Sequence, residues 1–406
     1  MLRHWKVLRH LPRGMWVLAA TVLINRAGSM VLPFLVLYLT RSMGFSAGKA
    51  AFVLLVYGLG AIVVGPLAGL LSDRIGPARL MRASLFLSGA MLLAYPLARS
   101  YTAVLAVTVV LAAVTESFRP ASMALIGGAV PPAQRKAAFA LYRLAINLGM
   151  SVGPALGGFL AAVSFRYLFI VDGATSLAAG VVLAASGLAA APPRDAPGEV
   201  PAPFAWPRAH LDRRFLFFLA ALLPVTFVFF QHISAMSLWI VRDHHLPEST
   251  FGLLFSINTL LIVLVEVPLN AVTAHWPHRR TLVLGSLLSG LGFGAMAFAS
   301  SVWAFAATVV VWTFGEMFTF PTAAAYVAEV SPPERRGEYS GLFAMSSSLS
   351  FAIGPWAGTL VLDRFGGKIL WSATFLLGLL AAGMLWRLRE PASHAPAAES
   401  ALPGAV

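Results

Sequence analysis

The chain has 406 residues, of which 59% are hydrophobic and 11% are charged, and its formal net charge is +13 at pH 7. With a mean hydropathy of +0.81, it has too little polar surface to cover a soluble globule of this size, so we predict an integral membrane protein. The absence of cysteine excludes disulfides and thiolate metal sites. The positive charge suits loops that face anionic lipid, and we expect no metal, no cofactor and no nucleic-acid partner.

Apolar segments long enough to cross roughly 30 Å of hydrocarbon recur twelve times, with a polar gap after the sixth. They predict an all-α fold of twelve transmembrane helices, six on each side of the gap. The predicted helices 1 to 12 span residues 14–40, 46–71, 80–98, 102–129, 135–163, 167–189, 213–241, 249–272, 281–299, 302–329, 338–362 and 368–386.

Helix 1 follows a basic start that contains Arg3, Lys6, Arg9 and Arg13. It is too long for the core of a signal peptide and has no evident small-residue cleavage site, so we expect it to remain as a membrane span. Lysine and arginine are concentrated in the loops on the N-terminal side of the membrane. The positive-inside rule therefore predicts a multi-pass protein of the plasma (cell inner) membrane with both termini in the cytoplasm.

The connection between helices 2 and 3 reads GLLSDRIGPAR, from Gly69 to Arg79. Asp73 is at the end of helix 2, where it can meet Arg74, Arg79 or a helix N-terminus in one conformation and release it in another. A solvated charged turn is the alternative interpretation. The second half has His275 in TAHWPHRR instead of the acid, so a latch of this kind would be one-sided.

Helix 4 carries two full charges inside an apolar run, in VTESFRPASM. Glu116 and Arg119 are three residues apart and so share a helical face. A charge at the bilayer centre costs about 2.5–3.5 kcal/mol on insertion scales, so we expect this face to meet a wet cavity, with Pro120 loosening the helix beside it. A buried pair that only fixes register is the alternative.

Helix 5 carries Gly149, Gly153 and Gly157 at a spacing of four, followed by Gly158. This small-residue stripe allows a neighbouring helix to approach closely. Pro154 removes a helical hydrogen bond and can bend the helix. Tight static packing and a moving hinge are both compatible with this pattern.

The two halves repeat each other. The segment that begins at Pro131 aligns without gaps with the segment that begins at Pro332, and the same offset of 201 residues superposes Pro120 on Pro321. Such internal symmetry is typical of a transporter built from two related bundles with its site between them. We therefore predict a six-helix bundle over 1–189, a cytoplasmic linker over 190–212, a second six-helix bundle over 213–390 and a disordered cytoplasmic tail over 391–406.

These features together resemble the major facilitator superfamily, over the entire chain. The loop motif is carried by Gly69, Asp73, Arg74, Gly76 and Arg79, although Pro77 and Ala78 stand where two basic residues are usual. The helix 5 segment with Gly149, Gly153, Pro154, Gly157 and Gly158 resembles a motif seen chiefly in the antiporters of the family, with Ala140 in place of its earlier glycine. The resemblance implies a transporter of the twelve-helix drug:proton antiporter branch, in which the loop motif is a conformational latch.

The resemblance also implies that helices 1, 4, 7 and 10 line a central cavity. Deep polar residues in these helices are the candidate site: Glu116, Glu316 and Arg119 for proton coupling, and Asn25, Arg26, Gln231 and His232 for the substrate, together with Arg143 of helix 5. We interpret Asp172 and Glu266 as structural. Intramembrane ions are functional by default, and burial and a neighbouring arginine act on a carboxylate's proton affinity in opposite directions.

We therefore expect a proton-coupled secondary transporter that works by alternating access as a monomer and exports small lipophilic or drug-like compounds. The alternative is proton-coupled uptake of a small anionic or zwitterionic solute such as a peptide, since INRAGSMVLPFLVLYLT resembles helix 1 of the oligopeptide symporters, with Asn25 where that branch has an acid. A receptor or sensor would normally add a soluble signalling domain. The sequence has no nucleotide-binding P-loop, so we expect an ion gradient or the substrate's own gradient to drive transport. We do not expect an enzyme, because the sequence has no metal cluster and no nucleophile–base spacing.

Overall fold

The computed structural model describes residues 11–188, 212–332 and 335–390, and every regular element in these ranges is helical. The predicted linker, except Asp212, and the predicted tail lie outside these ranges. The helices are α1 (Arg13–Arg41), α2 (Ala47–Ile75), α3 (Pro77–Leu97), α4 (Tyr101–Ala129), α5 (Pro132–Val163), α6 (Arg166–Ala185), α7 (Arg213–Phe229, continued by short turns to Asp243), α8 (Glu248–Val272), α9 (His278–Ala295), α10 (Val302–Val330), α11 (Arg336–Phe365) and α12 (Gly367–Trp386).

Each helix corresponds to the predicted span of the same number, which confirms the all-α, twelve-helix fold class. In the described part of the chain, ten helices are individually long and apolar enough to cross a membrane, and α9 and α11 complete the set. Serine side chains cap several of the starts: Ser46 accepts a hydrogen bond from the Lys49 N–H, and Ser100 accepts one from the Ala103 N–H. Such caps satisfy backbone donors that the first helical turn leaves unpaired.

Among the described residues, α1, α4 and α7 are interrupted, α7 after Phe229. α1 breaks at Ser29 and Met30, and α4 breaks at Ser117. A proline follows the breaks of α1 and α4: Pro33 lies four residues after Ser29, and Pro120 lies four residues after Glu116. Proline has no N–H to donate to the carbonyl four residues earlier, so it weakens the helix beside each of these two breaks, although other prolines such as Pro321 lie within uninterrupted helices.

The predicted internal repeat appears in the helix boundaries. An offset of 201 residues places α6 (Arg166–Ala185) on α12 (Gly367–Trp386), and α4 (Tyr101–Ala129) on α10 (Val302–Val330). In the first bundle α1 packs on α5 and α6, and α3 packs on α6; in the second, α9 packs on α10 and α12, and α7 packs on α12. The two six-helix bundles are therefore pseudo-symmetric.

The bundles meet along two antiparallel helix pairs, α5 with α8 and α2 with α11. A Cβ built on Gly158 would lie 2.8 Å from the Glu248 carbonyl oxygen, and one on Gly58 would lie 2.6 Å from Ala352 Cα. The bundles thus touch backbone to backbone at the end of the molecule where Arg41 of α1 forms an ion pair with Glu248 of α8.

The opposite end of the α2–α11 pair is open. At Gly69 of α2 and at Gly341 of α11, no described atom lies within 4 Å of the position of an added Cβ. The structure is therefore closed at the Arg41 end, and α2 and α11 are parted at the end that carries Asp73.

Candidate functional site

A cavity of about 190 Å³ lies beside the α1 break. Most of its wall comes from the first bundle, and His232, Ile233 and Phe255 close it on the side of the second bundle. Its polar lining includes Asn25, Arg26, Ser29, Tyr57, Thr115, Asp172 and Ser176, and the remainder is largely apolar. A mostly apolar pocket with a few convergent polar groups is the usual form of a small-molecule site.

The backbone of the α1 break is held from two sides. Asp172 of α6 accepts hydrogen bonds through Oδ2 from the Met30 N–H at 3.2 Å and the Val31 N–H at 3.1 Å. On the other side, a Cβ built on Gly153 of α5 would lie 2.9 Å from the Arg26 carbonyl oxygen, and one on Gly157 would lie 2.7 Å from Met30 Cβ. The glycine stripe of α5 therefore lets its backbone approach the broken segment of α1.

The remaining two glycine-motif positions face the other bundle. Gly158 and the Pro154 carbonyl oxygen contact α8 at Gly252. The glycine motif of α5 thus contacts α1 on one face and α8 of the second bundle on the other. It therefore lies where the two bundles meet.

Glu116 has a different partner from the one expected. No ion pair joins Glu116 to Arg119 among the described residues, and the Tyr57 hydroxyl donates to Glu116 Oε1 at 2.8 Å instead. Arg26 lies close enough to interact electrostatically with Tyr57 and with Asp172. The first bundle therefore places Arg26, Asp172 and Tyr57 on the cavity wall, with Glu116 bonded to Tyr57.

Glu316 is in a second polar cluster, away from this cavity. Asn258 Nδ2 donates to Glu316 Oε2 at 2.7 Å and to Thr313 Oγ1 at 3.1 Å. Arg143 of α5 forms an ion pair with Glu266 of α8, which links the two bundles. Arg143 and Glu266 both interact electrostatically with Glu316.

The two acids have symmetric partners. Tyr57 of α2 and Asn258 of α8 are 201 residues apart, and each bonds the acid on the adjacent helix, Glu116 of α4 or Glu316 of α10. Sequence analysis missed both partners. The repeat carried a usable signal, because residue 57 and its counterpart both have hydrogen-bonding side chains.

The proposed substrate residues divide into two groups. Asn25, Arg26 and His232 line the cavity. Gln231 does not: it is fully buried, and its Nε2 donates to the Gly354 carbonyl oxygen at 2.9 Å, so it fastens α7 to α11. Arg143 is also outside this cavity, in its ion pair with Glu266. The cavity is lined by residues of α1 to α8, and none of the lining residues comes from α10, which differs from the expected set of helices.

His232 presents one ring nitrogen to the cavity side. Its Nδ1 lies 2.6 Å from the Phe229 carbonyl oxygen. Because a carbonyl only accepts hydrogen bonds, Nδ1 carries the proton, and Nε2 of the neutral ring is an acceptor. The ring lies 4.6 Å from the Phe229 ring and 5.9 Å from the Trp312 ring, between centroids, so an aromatic wall surrounds this acceptor.

The loop-motif residues are exposed at the open end. Asp73, Arg74 and Arg79 are solvent-accessible, and none takes part in an ion pair within the described ranges. Gly76 has φ +89° at the junction of α2 and α3, a conformation that favours glycine. Gly69 contacts nothing.

Two pseudo-symmetric six-helix bundles with a largely apolar cavity that carries a few polar groups are typical of a membrane transporter rather than an enzyme. The Major Facilitator Superfamily matches residues 17–238 and 232–404. The chain belongs to this family, as the resemblance implied.

Known relatives span almost the whole chain. The Uncharacterized MFS-type transporter YqjV of Bacillus subtilis (strain 168) is 25% identical over 94% of both chains. A Na(+), Li(+), K(+)/H(+) antiporter of Planococcus maritimus is 25% identical over 82% of this chain and 84% of its own. Multidrug resistance protein MdtH of Aeromonas hydrophila is 24% identical over 85% of each.

The fold also has solved counterparts. A peptide transporter POT in complex with alafosfalin superposes with a TM-score of 0.76 at 17% identity, over 95% of this chain and 99% of that one. At this identity the likeness concerns the fold alone.

Proposed function

We propose that this transporter couples proton movement to the export of small lipophilic or drug-like compounds by alternating access. The observation that carries the proposal is the position of Glu116, bonded to Tyr57 beside Arg26 at a largely apolar cavity. Two relatives support it: one is named as a multidrug resistance protein and another as a cation/H(+) antiporter.

Glu116 is the main proton carrier in this proposal. With the carboxylate ionised, it accepts the Tyr57 hydrogen bond and balances Arg26; with the carboxylate protonated, Arg26 loses part of its counter-charge. A substrate at Asn25, Arg26 and His232 therefore meets a different charge in each state, and this difference is what coupling requires. Glu316, bonded to Asn258, is the second carrier, and Arg119 acts in a conformation in which α4 is rearranged.

In this proposal the access of the cavity alternates because the two helix pairs that join the bundles, α5–α8 and α2–α11, open and close. The Arg41–Glu248 pair and the Gly158 contact hold one end closed. We assign that end to the outer face and the Asp73 end to the cytoplasm, with residues 190–212 as a linker between bundles 1–189 and 213–390 and residues 391–406 as a tail. In the opposite conformation Asp73, Arg74 and Arg79 latch the cytoplasmic ends, and the transporter is a monomer of the plasma membrane.

Proton-coupled uptake of a small anionic or zwitterionic solute is the second candidate. The observation that favours it is Arg26, a cation that lines the cavity at the break of α1. An arginine there suits a carboxylate or phosphonate group.

Transport in proteoliposomes with an imposed pH gradient distinguishes the two. A chemically diverse panel should show pH-driven movement of lipophilic compounds opposite to the proton flow. Movement of small anions or peptides in the same direction as protons would establish symport instead, and no response of any panel member to the gradient would contradict proton coupling.

A further inference from the structure

The α1 break exposes two backbone N–H groups at mid-membrane depth, and Asp172 accepts hydrogen bonds from both. Asp172 is 7% exposed and also lines the cavity. Its neighbours Thr175 and Ser176 extend the same contact: Asn25 Nδ2 donates to Ser176 Oγ at 3.1 Å. α6 therefore fastens the start of the Val31–Arg41 segment to the first bundle through an ionisable group.

In the second bundle the bond from the break to the neighbouring helix α11 comes from a neutral amide, while the ionisable His232 of the same break bonds within α7. In α7 the regular helix ends at Phe229, and the following Gln231 bonds the Gly354 carbonyl oxygen. Gly354 is the counterpart of Gly153, 201 residues later, and the residue in α12 that corresponds to Asp172 is Ala373. A broken helix in this fold can therefore be held by a neutral amide, so a carboxylate is not a packing requirement.

We propose that Asp172 is a proton-dependent fastener of the α1 break, which holds the Val31–Arg41 segment when ionised and releases it when protonated. It is a positioning residue for the proposed transport cycle, acting through α1 on the cavity residues Asn25 and Arg26. The inference rests on the proposed proton coupling and extends it to a second carboxylate of the first bundle.

The physical basis is the strength of the two backbone hydrogen bonds. A bond from an N–H to a carboxylate is roughly twice as strong as one to a neutral acceptor. The negative charge also interacts favourably with the positive N-terminal end of the Val31–Arg41 helix. Protonation of Asp172 removes its negative charge, and with it both the stronger hydrogen bonds and the favourable interaction with the helix end. No other hydrogen bond has to break.

Asp172 shares its surroundings with other groups that titrate or carry charge, and each could contribute to a pH response. Those that face it or line the same cavity are Arg26 of α1, Tyr57 of α2 with Glu116 of α4 behind it, Tyr95 after α3, and His232 of α7. A test must therefore compare variants at Asp172 itself.

The absence of cysteine from the chain provides a clean background. A single cysteine at Ser29, which lines the cavity at the break, is reacted with a thiol reagent in the purified full-length protein across a range of pH. The reaction rate of Ser29→Cys is divided by the rate of a second variant, Ser42→Cys, whose cysteine lies in an exposed turn. This division removes the effect of pH on the thiol itself. The variants are Asp172→Asn, Asp172→Ala and, as a matched control at the α7 break, Gln231→Ala.

With Asp172 present, the normalised rate should rise severalfold as the pH falls. Asp172→Asn keeps an oxygen acceptor but no charge, so its rate should be high and independent of pH, like that of Asp172→Ala. Gln231→Ala should retain the pH response. A rise that persists in Asp172→Asn, or an Asn variant as unreactive as the ionised protein at every pH, would show that Asp172 is only a cap.

Hydrogen–deuterium exchange of residues 25–35 in the unmodified chain gives a readout that depends on no variant. After correction for intrinsic exchange, the protection of the Met30 and Val31 amides should decrease as the pH is lowered. Protection that does not change with pH would overturn the inference. Neither readout needs a substrate or a gradient. A pH-dependent break in a protein without proton-driven transport would therefore contradict the proposed function alone, and a pH-independent break in a proton-driven transporter would contradict this inference alone.

Discussion

The first bundle carries three charged side chains around the α1 break: Arg26, Glu116 and Asp172. The second bundle has the same helices 201 residues later, but the equivalent positions hold Phe227, Met317 and Ala373. The backbone features persist in both copies: each bundle has an interrupted first helix, and each interruption is packed against a glycine, Gly153 or Gly354.

This difference between the bundles shows which features of the first bundle are needed for helix packing and which are not. The second bundle folds to the same plan with apolar residues where the first has charges, so the charges of the first bundle are not needed to build the helices. Since an intramembrane charge is costly, we infer that these charges serve transport. In the proposed function, the proton acts on the charges of the first bundle, and the second bundle contributes the largely apolar side of the cavity at His232, Ile233 and Phe255.

The joint between α5 and α8 should be the site most sensitive to added volume. Gly158→Leu places a side chain against the Glu248 carbonyl oxygen and Ser249 Cα, each 2.8 Å from the new Cβ, so the closed end must separate at a cost of about 1–3 kcal/mol. Transport should be lost, and double electron–electron resonance distances across the Arg41 end should lengthen. Gly383→Leu, where nothing lies within 4 Å, is the control, and equal losses in both would contradict the role of the joint.

The loop motif, which has its acid only in the first half of the chain, should affect the rate of conformational exchange rather than the affinity for substrate. At the offset of 201 residues Asp73 corresponds to Ala274, which is next to His275, so the second half has no acid at this place and only the first bundle can form this latch. Asp73→Asn should slow exchange between conformations and leave substrate affinity within a few fold, as seen by single-molecule energy transfer and binding titration. Unchanged exchange with unchanged populations would make Asp73 an ordinary turn residue.

The Arg143–Glu266 pair should have the smallest effect. The equivalent positions in the α2–α11 joint are Ala344 and Gly65, so one joint has an ion pair where the other has none. Because the Arg143 side chain is 58% exposed, a double-mutant cycle with Arg143→Gln and Glu266→Gln should give a coupling of about 1 kcal/mol or less on thermal stability. A much larger coupling would show that the pair is sealed from water.

The spans, the repeat and the family could be predicted from sequence because hydrophobic length and a gapless offset do not depend on tertiary contacts. The α1 break was missed, although Pro33 carried the signal. The partner of Glu116 could not be read from its own helix, since Tyr57, which bonds Glu116, comes from α2. Asp172 was interpreted as structural because its backbone partners become available only where α1 is broken.

The proton flux carried by Glu116 and by Glu316, one acid from each bundle, tests the division between the bundles most directly. Vesicles with a trapped pH dye and reconstituted transporter are given a substrate identified in the panel, and substrate-driven proton movement is measured for Glu116→Gln and Glu316→Gln. We predict that Glu116→Gln abolishes the flux while substrate exchange persists without pH dependence, and that Glu316→Gln only reduces it. Normal flux in Glu116→Gln together with its loss in Glu316→Gln would place the proton site in the second bundle and contradict the assignment.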